Sequence, residues 1–218
     1  MAEIHLPPLF HGSDAKIVRM EPEMRSKYKD DCILVLDYLY PFFEMNPIDM
    51  GKLIGDEKCT KYPMFWKSFI CLGGFKNENT MYQYEKFYLT NIKDRAIDYA
   101  YSSFAGGELG MMAYEIYQAA LKVGFKNWNP STDVKSASKR ITDFAEQPPE
   151  PVLFSFEDID VNYLKLENGD DLTPSRINCL IKGSVGRSYL YNKEMKLDPS
   201  LAEKLKSIPD FEKTIKII

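Results

Sequence analysis

EKFYLTNIKDRAIDYA, residues 85–100, changes its periodicity half-way along. Phe87, Tyr88 and Leu89 form a short aromatic and aliphatic run of the kind that makes a strand. From Asn91 the spacing becomes helical, with Ile92, Ala96, Tyr99, Ala100 and Ser103 on one face. Asn91 is a good N-cap residue, and Asp94 stands three places later, where the acid of a capping box stands. The reading is a strand that turns directly into a helix, with Tyr88 near the end of the strand and Tyr99 on the buried helix face two turns in. Either tyrosine alone reads first as a core aromatic in a chain that is 13% aromatic.

A second stretch lies near the start. PLFHGSD, at Pro8–Asp14, is a short apolar strand that ends in His-Gly-Ser. Together the two stretches resemble the ADP-ribosyltransferase superfamily, in its poly(ADP-ribose) polymerase-like branch. That branch carries an HGS on its first core strand, and a strand-helix unit with two nicotinamide-facing tyrosines. Here Tyr88 and Tyr99 are eleven residues apart, the spacing that the family uses.

The resemblance implies an α+β fold, an ADP-ribosyltransferase-like split antiparallel sheet core, and cleavage of the nicotinamide–ribose bond of NAD. It implies that His11 hydrogen-bonds the adenosine-side ribose, and that Gly12 presents its backbone to the nicotinamide amide. Ser13 would touch the nicotinamide end, and Tyr88 and Tyr99 would sandwich its ring by stacking. NAD is then a co-substrate, no metal is required, and transfer of a single ADP-ribose unit to a protein, nucleic-acid or small-molecule acceptor is expected.

Such chemistry needs a carboxylate near the positive charge that develops on the ribose. The family places a glutamate on a late strand, often directly after a Tyr-Asn pair. This chain has YLYNKEM at Tyr189–Met195, so Lys193 follows Asn192 and Glu194 comes one place late. A one-residue slip turns a strand side chain to the other face, and a bulge restores its direction. Glu194, with His11 and Tyr88, is the expected catalytic set. Glu108 and Glu85 are lesser candidates, and the plain alternative for Glu194 is a solvent-facing charge on an edge hairpin. The other branch of the superfamily uses a late ExE. Glu21 and Glu23 form an ExE, but far too early, and that branch is set aside.

Two further readings stand beside transfer. One is a binding module that keeps the pocket and lacks a working glutamate. The other is a tRNA 2′-phosphotransferase of the same fold, which would need an arginine-rich patch for RNA phosphates. The net charge of −4 does not favour bulk attraction to nucleic acid or anionic membrane. No Walker loop, GxGxxG, HExxH or GxSxG motif competes.

A length of 218 residues suits one domain, here taken as 1–218, with an insertion. Hydrophobic residues are 44% and charged residues 28%, an ordinary balance. Cys32, Cys59, Cys71 and Cys179 fall in no CxxC pattern, and only two histidines exist, so a zinc site has poor raw material. These thiols read as free and buried. His5, in the lead, reads as a surface residue. No signal peptide opens the chain and no apolar run reaches the ~18 residues of a membrane span. The expectation is a cytoplasmic protein with no membrane partner.

The rest of the chain supports helices between strands. Ala15–Lys29 reads as polar and turn-prone. Residues 30–80 separate the two motifs by far more than the family does, and they read as a largely helical insertion in which Pro41 ends or kinks a helix and Gly73-Gly74 is a loop. ELGMMAYEIYQAALKVGF is amphipathic, with Leu109, Met112, Ala113, Ile116, Tyr117, Ala120 and Leu121 in register. A further helix runs through Val134, Ala137, Ile141, Phe144 and Ala145, and QPPEP at Gln147–Pro151 punctuates the chain. PVLFSFE reads as a buried strand, and Ile177–Ser184 with Ser188–Leu197 as a hairpin. Pro199 opens a short helix, and the terminal KTIKII reads as an edge strand.

Overall fold

Leu9–Asp14, apolar at its start and small or polar after it, forms β1. It leads directly into a one-turn helix α1 (Ala15–Val18), capped by the Asp14 side chain, and then into α2 (Pro22–Met45). Strands β2 (Gly74–Lys76), β3 (Met81–Gln83) and β4 (Phe87–Thr90) follow. Next come α3 (Lys93–Ser102), α4 (Gly107–Val123) and α5 (Thr132–Ala145). The chain continues through β5 (Pro151–Phe156), β6 (Leu164–Leu166), α6 (Pro174–Ile181), β7 (Ser188–Tyr191) and β8 (Glu203–Lys204). This computed structural model describes residues 6–45, 74–76, 81–83, 87–123, 129–167, 169–183, 186–193, 195 and 197–206. The architecture is mixed α+β. No helix among the described residues is long and apolar enough to cross a membrane.

Contacts gather the chain into two compact units. The first, drawn from 1–19, 76–103 and 150–205, holds a six-stranded sheet in the order β6-β7-β4-β1-β5-β8. Every pairing in it is antiparallel. Pleating sends alternate side chains to opposite faces. One face of β1 carries Leu9, His11 and Ser13, and the other carries Phe10, Gly12 and Asp14. Helix α3 packs on the Gly12 face so closely that a Cβ on Gly12 would stand 1.7 Å from the Ala96 carbonyl oxygen. The opposite face holds the core of Leu9, Leu89, Leu164, Leu180 and Tyr189.

The second unit, drawn from 20–75, 104–149 and 206–218, is built on α2, α4 and α5. Cys32, Val35, Leu36 and Leu39 give α2 a buried stripe at helical spacing. The Tyr28 hydroxyl donates to the Ala105 carbonyl at 2.7 Å, and its ring lies 4.9 Å from that of Phe144. Burial pushes the Tyr28 phenol up, and the buried Cys32 thiol up to about 12. Arg140 grips Asp31 with two bonds of 2.6 Å. Asp31 is 7% exposed, so this pair fixes the α2–α5 contact from within.

Four local expectations are corrected. Of the expected strand Ile177–Ser184, Ile177–Ile181 is helical instead: Thr173 caps and Pro174 opens helix α6, and Ile177 and Ile181 are spaced as one helix face. The partners of β7 are β6 and β4 instead. Ala15–Lys29 is not a turn region, because Asp14 caps α1 and Pro22 with Glu23 starts α2. Asn91 does not cap α3. Ile92 occupies that place with no side-chain cap, while the Asn91 Oδ1 accepts from the Arg187 amide at 3.1 Å. Of the two outcomes expected at Pro41, ending or kinking, the first is overturned, since the helix runs on to Met45. Within the 30–80 region, residues 30–45 are helical and Gly74–Lys76 is a strand. Residues 46–73, like the terminal KTIKII, lie outside the described residues. Pro199–Leu201 is a 3-10 turn.

Candidate functional site

The three strands that bear the motifs are consecutive neighbours in the sheet. HGS lies on β1, Tyr88 on β4 and YLY on β7, in the order β7-β4-β1. β4 pairs with β7 from Phe87↔Tyr191 to Thr90↔Ser188. β1 meets β4 at Phe10↔Thr90. One step further along, His11 Nδ1 lies 2.9 Å from the Tyr88 carbonyl oxygen. A carbonyl only accepts, so Nδ1 carries the proton and, in the neutral ring, Nε2 is left as an acceptor.

The imidazole is set among aromatic rings. Its centroid lies 4.3 Å from that of Phe87 and 6.4 Å from that of Phe154. Phe87 in turn meets Phe156 edge-on at 5.8 Å. His11 as a whole is only half-buried, yet the rings packed on its imidazole exclude enough water to hold the pKa down to about 4, against the opposing pull of the Tyr88 carbonyl. His11 is therefore uncharged at neutral pH.

Pleating separates the candidate side chains. Phe10 and Gly12 share the α3 face, and Phe10 is paired with Thr90. Tyr88 therefore points to the α3 face, whereas His11 and Phe87 point to the other. Tyr99 sits in α3 beside Ala100, whose amide nitrogen is 2.7 Å from the position of a Gly12 Cβ. Both tyrosines are half-buried. The Tyr99 carbonyl accepts the Ser103 and Ser102 hydroxyls at 2.7 and 3.1 Å. The structure thus sets Gly12, Tyr88 and Tyr99 on the α3 face and His11 on the other, so His11 meets Tyr88 through its backbone carbonyl and does not share a face with the two tyrosine rings. It also gives Gly12 a packing role: the glycine admits the backbone of α3. Ser13 is buried on the His11 face.

Glu194 lies outside the described residues, as does Glu85. Strand β7 ends at Tyr191, and the Lys193 ammonium stands 4.9 Å from the centroid of the Tyr163 ring. Glu108 falls at the start of α4, in the helical unit. Among the described residues no group of three His, Cys, Asp or Glu side chains is placed to hold a metal ion. Tyr189 is buried, which pushes its phenol up against the pull of Arg187 and Arg176.

Two residues absent from the sequence reading shape this region. Phe154 was hidden because its contact with His11 depends on the β1–β5 register, which pairs the two directly. Asp14 carried a legible signal: an acid directly before AKIV is an N-cap pattern. No protein-family model matches this chain, and neither a curated protein nor a solved structure does.

Proposed function

We propose that this chain is an ADP-ribosyltransferase, which moves one ADP-ribose unit from NAD to an acceptor and releases nicotinamide. The observation that carries this reading is the adjacency of β7, β4 and β1, three motif-bearing strands far apart in sequence, with His11 bonded to the Tyr88 carbonyl. In this reading the neutral His11 Nε2 accepts a hydrogen bond from a ribose hydroxyl, on the face of the sheet opposite the Tyr88 and Tyr99 rings. The glycosidic C–N bond breaks with its electron pair leaving on nicotinamide. The acceptor's nucleophile then bonds the anomeric carbon and gives up its proton. Glu194 supplies the carboxylate that stabilises the oxocarbenium charge, which exists only near the transition state.

Lys193 favours a second reading, an NAD-binding module without transfer. The residue directly after Tyr-Asn is a cation beside Tyr163, where the family pattern has its acid. One experiment separates the two: nicotinamide release and NAD affinity, measured on purified protein and on Glu194→Gln. A transferase should lose about ten- to a thousandfold in turnover in the variant and keep its NAD affinity. Binding without release by the unaltered protein selects the module, and neither binding nor release removes both readings.

A further inference from the structure

We infer that Asp14 is the positioning residue of the His11–Gly12–Ser13 strand. Its carboxylate holds the end of β1 against β5 and so sets His11 against Phe154 and the Tyr88 carbonyl. Asp14 is fully buried. Oδ1 accepts from the Lys16 amide at 2.8 Å, and Oδ2 from the Glu150 amide at 3.2 Å. The Lys16 ammonium, itself on a side chain only 8% exposed, stands 3.8 Å from Oδ2. The Ala15 amide donates to the Glu150 carbonyl at 2.8 Å.

The chemistry explains why an acid is needed there. Asp14 is paired in the ladder with Pro151, which has no N–H to give. The carboxylate takes the preceding Glu150 amide instead, so the ladder is closed by a side chain where the backbone has no donor. The same group caps α1 and meets Lys16. The charged groups around it are Lys16 and Glu150, and Glu150 is itself paired with Arg19 at 2.8 Å. Burial pushes the Asp14 carboxyl up and the Lys16 ammonium down, so neither charge is stable there without the other. A buried acid that ties two backbone amides, directly after the His-Gly-Ser run, controls where that run lies.

The bearing on catalysis rests on the transferase reading; the effect on His11 does not. The test reads the imidazole itself. The chain has two histidines, so a His5→Gln background leaves one imidazole in a nitrogen-15 spectrum. The expected signal is a neutral ring protonated on Nδ1 down to about pH 5. Asp14→Asn keeps one acceptor and loses the other. It should raise the His11 titration midpoint by about one unit and mix the tautomers, and Asp14→Ala should do so further. An unaltered His11 signal in folded Asp14→Asn overturns the inference. Should neither Asp14 variant fold, Lys16→Met removes only the counter-charge and is read in the same way: a smaller upward shift supports the inference and no shift overturns it. A separate arm uses NAD. If the unaltered protein releases nicotinamide, Asp14→Asn should raise KM about tenfold and leave kcat within about threefold, and an unchanged KM overturns the bearing on the site. If the unaltered protein releases none, the transferase reading fails and the imidazole signal still decides the role of Asp14.

Discussion

Strand β1 is held in two different ways along its two edges. Towards β5 it is paired residue by residue, from Leu9↔Phe156 to Asp14↔Pro151. Towards β4 it is paired at Phe10↔Thr90 and then by the His11 ring on the Tyr88 carbonyl. Ladder hydrogen bonds form between backbones whatever the side chains are, save at the Asp14 end, where the carboxylate accepts from the Glu150 amide. The β4 edge depends instead on the identity and protonation of one residue. The difference teaches that the stable edge and the chemically sensitive edge of this strand are separate, and that the sensitive one joins the two motifs.

The largest expected effect breaks the comparison outright. Gly12→Ala puts a Cβ 1.7 Å from one α3 backbone atom and 2.7 Å from another, so the helix or the strand must move. Urea unfolding followed by circular dichroism should show a loss of about 3 kcal/mol, and both edges of β1 should lose amide protection. A change below about 1 kcal/mol would mean that α3 does not approach β1 this closely. Next comes His11→Ala, which takes the Nδ1 donor away from the Tyr88 carbonyl and removes the ring from Phe87. A cost of about 1–2 kcal/mol is expected. Hydrogen exchange should quicken in β4 and stay slow along β5; equal quickening on both edges would erase the distinction.

The third prediction sharpens the comparison through pH. His11 is held near a pKa of about 4 in the folded chain, against 6.5 ordinarily. Between those values the unfolded chain binds the extra proton, so stability should rise with pH from about 4 to 6.5 and be flat above, as far as His11 is concerned. Asp14 works the other way, since its raised pKa lets the folded form hold a proton above 3.8, and its contribution falls as pH rises. Subtracting the melting profile of His11→Gln from that of the unaltered protein isolates the histidine term. A difference that is flat from pH 4 to 6.5 would mean that His11 titrates as if in water. The smallest effect is at Arg19→Ala. Its 2.8 Å pair with Glu150 is half-exposed on both sides, and no more than about 0.5 kcal/mol should be lost in the same denaturant assay.

Much of this architecture was legible in residue spacing. The runs LFHGS, FYLT and PVLFSF did form strands, and the periodic stretches after Asn91, Gly107 and Ser131 did form helices. The errors came where a side chain had two possible duties. Asn91 reads as a cap but bonds the Arg187 amide, and the helix starts later. Ile177 and Ile181 read as strand residues, yet Thr173-Pro174 commits the segment to a helix. At the candidate site the residue types were readable and their directions were not. That His11 faces Phe154 follows from the β1–β5 register, and that Tyr88 faces α3 follows from the single β1–β4 pair. A register between segments so distant in sequence leaves no local trace.

The close approach at Gly12 also limits how this chain can change over generations. When two side chains collide, a second substitution that trims one of them restores the fit. Here the obstacles are the carbonyl oxygen of residue 96 and the amide nitrogen of residue 100, atoms present whatever amino acid stands there. A screen for second-site suppressors of a Gly12 replacement should therefore return glycine itself, or changes that shift α3 bodily, and no compensating substitution at position 96.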